Sequence, residues 1–162
     1  MIQVDPHGET SRVVNPAHAR DAGPRHMGCP DAKARTESPG DHFVEQHGLT
    51  FAGTHLIVDL WEASNLDDLA RVERTLRQAS DAAGATLLKI DLHSFAPTGG
   101  ITGVALLAES HISIHTWPER SYAAIDLFMC GEAEPLKAID VIRKAFSPGV
   151  VTLLEHKRGM VP

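Results

Sequence analysis

In the middle of the chain several strand-like stretches follow one another with no helix between them, and this run constrains the fold more than any other feature. "ATLLKIDLHSF" (residues 85–95) is rich in β-branched and apolar residues, and Pro97, Gly99 and Gly100 then form a loop. "TGVALLAES" begins a further strand at Thr102, and 111–116 and 122–130 continue the pattern across the break at Trp117-Pro118. An earlier strand, "THLIVDLW" (residues 54–61), precedes a helical stripe of Leu66, Leu69, Val72, Leu76, Ala79 and Ala83. Ser64 with Asp67 three residues on resembles a capping box at its start, and Gly84 is placed to stop it. Pro135 suits the first turn of a second helix, with Leu136, Ile139, Ile142 and Phe146 at near-helical spacing and Pro148-Gly149 at its end. "VVTLLEH" closes the order. A strand, a helix, a run of strands, a helix and a last strand predict an α+β fold, a two-layer sandwich whose mainly antiparallel sheet carries two helices on one face.

Residues 1–48 lack this patterning. They hold half of the chain's ten histidines and show no period of 2 or 3.6, so they read as a disordered extension, with residues 49–162 as the one folded domain. His7, His18, His26, Cys29, His42 and His47 do not pair into the short ligand spacings of a zinc site, and no metal is expected. A formal charge of -6 provides no basic footprint for nucleic acid or an anionic membrane. The longest apolar run, Val104 to Ala108, is too short to span a bilayer, and "MIQVDPHGETSR" lacks the apolar core of a signal peptide. A cytoplasmic protein with Cys29 and Cys130 both reduced is the expectation.

The stretch "AESHISIHTWPER" (residues 108–120) concentrates the reactive side chains. His111 and His115 are four apart, the zinc spacing of a helix, but Ile112, Ile114 and Thr116 argue for a strand, where four residues span about 13 Å and cannot share one ion. Ser110 lacks the glycine-flanked elbow of a hydrolase nucleophile. In the plainest alternative, His111, Ser113 and His115 are the polar face of a strand whose Ile112 and Ile114 face the core.

"LLAESHISIHTWPERSYAAIDLFMCGEAEP" as a whole resembles the core of the prokaryotic S-adenosylmethionine decarboxylase proenzymes, and the likeness runs from "GTHLIVDLW" at Gly53 to "EHKRG" near the end. The resemblance implies a chain that cuts itself between Glu109 and Ser110, giving residues 1–109 and 110–162. The Ser110 hydroxyl attacks the Glu109 carbonyl, the peptide becomes an ester, and loss of the Ser110 α-proton expels the Glu109 carboxylate. A serine is needed because it offers both the nucleophile and the leaving oxygen on one β-carbon. By the same resemblance His115 is the base for that proton, and Thr102 is the hydroxyl that assists processing. The product at position 110 is a self-derived pyruvoyl group, which forms a Schiff base with the substrate amine and needs neither metal nor pyridoxal phosphate. Cys130 matches the proton donor of catalysis.

S-adenosylmethionine is the substrate the resemblance implies, and its decarboxylated product feeds spermidine and wider polyamine synthesis. Phe95 matches a position that stacks on the ligand, Glu119 matches the carboxylate that binds the ribose hydroxyls, and Trp117 packs under the loop or touches substrate. Arg120-Ser121 departs from the Tyr-Gly common in that loop. Two rival readings remain: a pyruvoyl decarboxylase of arginine or ornithine, and an unprocessed homologue acting as a binding or regulatory subunit. A homodimer of processed protomers is implied too, since helices on one face leave the other face of the sheet in need of cover. Ser110 and His115 are five apart and face opposite sides of an unbroken strand. The chain must therefore turn, bulge or kink between them if they cooperate, and a bend at Glu109-Ser110 is the expectation.

Overall fold

The computed structural model describes residues 43–161. A short hairpin comes first, β1 (Val44–Gln46) and β2 (Leu49–Phe51), turned by His47 and Gly48, both at positive φ. Ordered structure thus begins ahead of Gly53, and the hairpin takes in part of the segment read as an extension; residues 1–42, with Cys29, lie outside the described residues. Then follow β3 (Gly53–Trp61), α1 (Leu69–Ala82), β4 (Leu87–Phe95), β5 (Gly100–Leu107), β6 (Ser110–Trp117), β7 (Tyr122–Cys130), α2 (Leu136–Phe146) and β8 (Val150–Arg158). The six strands β3 to β8 form one sheet in the order β4-β5-β6-β7-β3-β8, with every neighbouring pair antiparallel. The expected α+β sandwich is the observed one.

Alternation along the strands sets the core. In β7, Ala123, Ile125, Leu127 and Met129 are buried, as are Ile112 and Ile114 of β6 and Leu56, Val58 and Leu60 of β3. Val72, Leu76 and Ala79 of α1 and Ala138, Ile139, Ile142 and Phe146 of α2 close over them in one cluster. The opposite face of the sheet has no layer over it among the described residues. It displays Leu106, Val104, Phe95, Trp61, Trp117 and Leu154, all exposed, among histidines and aspartates.

The start of α1 differs from the sequence expectation. Ser64 is not the cap: its hydroxyl donates to the Phe146 carbonyl at 3.2 Å, pinning the β3-α1 loop to the end of α2. Asp68 caps the helix, its carboxylate accepting from the Arg71 N–H at 2.9 Å. Leu66 is buried but lies ahead of the helix, and Leu69 is exposed. Gly84 does follow the helix at positive φ, and α2 ends on Ser147, itself left-handed, just before Pro148-Gly149.

Candidate active site

The bend expected at Glu109-Ser110 is present. β5 and β6 pair up to Leu107 opposite Ser110, so Ala108 and Glu109 alone make the turn, and Glu109 is left-handed at φ 56°. After the turn, β6 runs without a bulge from Ser110 to Trp117, in regular register with both neighbours. No kink separates Ser110 from His115, contrary to the condition set for their cooperation within one strand. Their side chains face opposite sides of the sheet, and five residues of strand put them about 16 Å apart.

Two groups of candidate residues result. The first surrounds Ser110, which is buried at 7% exposure on the helix-bearing side. Its Oγ accepts a hydrogen bond from the Cys130 N–H at 3.1 Å, which ties the head of β6 to the end of β7. Glu109, Ser110 and Cys130 line one cleft of about 340 Å³ with Thr86 and Gly131. Burial, and then the nearby Glu109 charge, push the Cys130 thiol above its ordinary pKa, so it holds its proton at neutral pH. A thiol kept protonated suits a donor rather than a nucleophile.

The second group lies on the uncovered face. Thr102 Oγ1 and His115 Nδ1 are 3.0 Å apart, a hydrogen bond across β5 and β6 whose donor depends on the ring tautomer. Trp117 stacks on Tyr122 at 5.2 Å between centroids, and Tyr122 lies 4.3 Å from Trp61, so β6, β7 and β3 carry an aromatic ladder next to His115. Phe95, half-exposed at the end of β4, meets His93 edge-on at 4.6 Å. Glu119 is in the short 3-10 turn 118–120 that joins β6 to β7, and Ser121 leaves that turn in a left-handed conformation. The structure therefore brings together Ser110, Glu109 and Cys130, and separately Thr102, His115 and Trp117.

Sequence reasoning missed the partners that only strand pairing reveals. Tyr122 donates to Asp59 at 2.6 Å, and this bond first, with burial second, pushes the phenol up to about 12. Arg158 donates to His55 Nδ1 at 3.2 Å, which leaves the ring proton on Nε2, a buried atom without a hydrogen bond 3.6 Å from Asp126. Ser113 donates to the other Asp126 oxygen at 3.2 Å. Among the described residues no group of three His, Cys, Asp or Glu side chains is placed to hold a metal ion, and no helix is long and apolar enough to cross a membrane.

The family model described as S-adenosylmethionine decarboxylase matches residues 54–159. The chain belongs to the S-adenosylmethionine decarboxylase family. Relatives named S-adenosylmethionine decarboxylase proenzyme include one from Thermomicrobium roseum, 46% identical over 110 residues covering 67% of this chain and 95% of that protein. One from Methanococcus aeolicus is 51% identical over 110 residues, covering 66% of this chain and 93% of that protein. A crystal structure of the adenosylmethionine decarboxylase from Aquifex aeolicus superposes with a TM-score of 0.61 at 34% identity, over 69% of this chain and 94% of that one. The stretch matched to the S-adenosylmethionine decarboxylase family contains every candidate from Phe95 to Cys130, and β1 and β2 lie ahead of it.

Proposed function

We infer that the chain is a self-cleaving decarboxylase of S-adenosylmethionine, yielding carbon dioxide and the decarboxylated nucleoside for polyamine synthesis, with Ser110 as the source of a pyruvoyl group. The observation that carries this reading is the placement of Ser110. It is the first residue of a strand, directly after a left-handed Glu109 at the tip of a two-residue turn, and its Oγ takes the N–H of Cys130, which lines the same cleft. The residues fit the group: a hydroxyl follows a peptide bond at an exposed turn, and cleavage there leaves both new ends attached to paired strands.

In processing, Ser110 Oγ forms a bond to the Glu109 carbonyl carbon as the peptide C–N bond breaks, converting amide to ester. Removal of the Ser110 α-proton then expels the Glu109 carboxylate with the former Oγ, and water releases the nitrogen as ammonia. The pyruvoyl group supplies an electron sink for the pair left by carbon dioxide. Cys130 delivers the proton that the substrate α-carbon needs, and its raised pKa keeps that proton available at neutral pH.

His115 and Thr102 enter through a second copy. Within one protomer they lie at the far end of β6, but two copies packed by their uncovered faces, about a two-fold axis across the strands near Ile112 and Ser113, bring each His115 over the Ser110 end of the other's β6. The exposed Val104, Leu106, Trp61 and Trp117 give that face the apolar character an interface needs. Phe95 and Glu119 then belong to the same composite site, as stacking surface and ribose acceptor. The cell compartment fitting a polyamine enzyme of this chemistry is the cytoplasm.

Intact mass under denaturing conditions tests the reading. Two chains are expected, residues 1–109 and 110–162, the second lighter by one ammonia than simple hydrolysis gives, and a Ser110→Ala chain stays whole. Consumption of arginine or ornithine with S-adenosylmethionine untouched would overturn the substrate assignment, and a wild-type chain that stays whole would overturn the reading altogether.

A further inference from the structure

Gly53, the first residue of β3, is directly opposite Cys130 of β7 on one side and Arg158 of β8 on the other. A Cβ on Gly53 would meet the Met129 carbonyl oxygen at 2.6 Å, the Cys130 Sγ at 3.0 Å and the Phe128 ring at 3.0 Å. The space that a side chain would take is therefore already occupied by the Met129 carbonyl, the thiol and the Phe128 ring. β3 cannot recede to make room, because it is hydrogen-bonded along both edges. The backbone of Cys130 is held in the uncleaved chain by its N–H bond to Ser110 Oγ and, before and after cleavage, by the pairing of β7 with β3, so the direction of the thiol is decided by its side-chain torsion and by what stands across the ladder.

We propose that Gly53 is a positioning residue for the Cys130 thiol, its bare α-carbon forming the recess that holds the sulfur beside the Ser110 cleft. Gly53 touches no reacting atom. It acts through Cys130, and the proposal rests on the reading of Cys130 as the proton donor. Any side chain at position 53 pushes Sγ away from the sheet and presses on the Met129 carbonyl, moving the donor relative to position 110 while leaving Phe95 and Glu119 in place.

The Gly53→Ala variant tests this through three readouts. Alkylation of Cys130 by iodoacetamide, followed by peptide mass across pH 6 to 10, is expected to speed up at least threefold with its midpoint moved toward that of a free thiol. Steady-state turnover of S-adenosylmethionine is expected to lose at least tenfold in kcat with KM within twofold. The third readout is melting. The fall in Tm caused by Ala at 53 should be smaller when Cys130 is also Ala, because removing Sγ relieves one of the three close approaches while those of the Met129 carbonyl and the Phe128 ring remain, and this comparison holds even if Gly53→Ala alone folds poorly. An unchanged alkylation profile and kcat in a folded Gly53→Ala protein, or equal Tm losses in both backgrounds, would overturn the proposal. Full kcat in Cys130→Ala sinks the proton-donor reading instead, and leaves the alkylation and melting results to judge whether Gly53 sets the thiol.

Discussion

Ser121 occupies a left-handed conformation, φ 48°, at the exit of the 118–120 turn, where its Cβ is an encumbrance and a glycine would have none. Ser121→Gly is expected to stabilise the protein by about 1 kcal/mol, read as an increase in the urea midpoint at unchanged slope. Tyr122 tests the outer face in another way. Its phenol is raised to about 12, chiefly by the bond to Asp59, so the neutral form is favoured in the folded state. The stability this contributes is fully present below the unfolded phenol's pKa of about 10 and is lost as pH rises through about 12. Tyr122→Phe should therefore lose about 1 kcal/mol at pH 8 and show a flatter decline of stability between pH 10 and 12 than the wild type, in urea melts across that range.

At the scale of the element, the cap of α1 shows what a short-range rule can and cannot deliver. The Ser64-Asp67 pattern satisfies the short-range rule, but the Phe146 carbonyl takes the Ser64 hydroxyl from the far end of α2, and Asp68 caps the helix instead. The Asp68 carboxyl is held below its usual pKa by the Arg71 N–H first. Its contribution is thus present above pH 4 and lost as pH falls through the lowered value. Asp68→Ala should lower Tm at pH 7 while Asp68→Asn restores most of the loss, and at pH 2 the difference between wild type and Asp68→Ala should shrink. The strands were more legible than the helix ends, because alternation in "YAAIDLFMC" and "SHISIHTW" is imposed by burial on one face and survives any choice of neighbour. Their pairing order was not legible, and so neither were Tyr122 with Asp59, Ser113 with Asp126, nor the recess at Gly53.

At the scale of the whole molecule, the separation of Ser110 from His115 sets the strongest requirement. If the sites are shared between copies, co-expression of Ser110→Ala with His115→Ala chains restores what neither does alone. The His115→Ala chain is then cut in mixed dimers, where its Ser110 meets the intact His115 of the other copy, and two-tag purification followed by intact mass reads the result. Failure of any mixed dimer to process would place the base elsewhere. Leu106, half-exposed on the uncovered face, gives a second check. Leu106→Asp should yield a monomer by sedimentation with unchanged far-UV circular dichroism and little or no processing, because a charge desolvated between two sheets without a partner is costly.

The sequence by itself determined which residue types were available and where each strand buries one face: the serine after a glutamate, the histidine five positions on, the cysteine before a glycine, and the period of 2 that makes Ser110 and His115 point apart. Those are properties of the local chain, set by covalent order and by the pleat. Tertiary structure decided the rest, because it depends on contacts between residues far apart in sequence. The hairpin register placed the bend before Ser110 and not after it, Phe146 moved the cap of α1, and the flanking of β3 by β7 and β8 left Gly53 no room for a side chain and Cys130 a fixed place to stand.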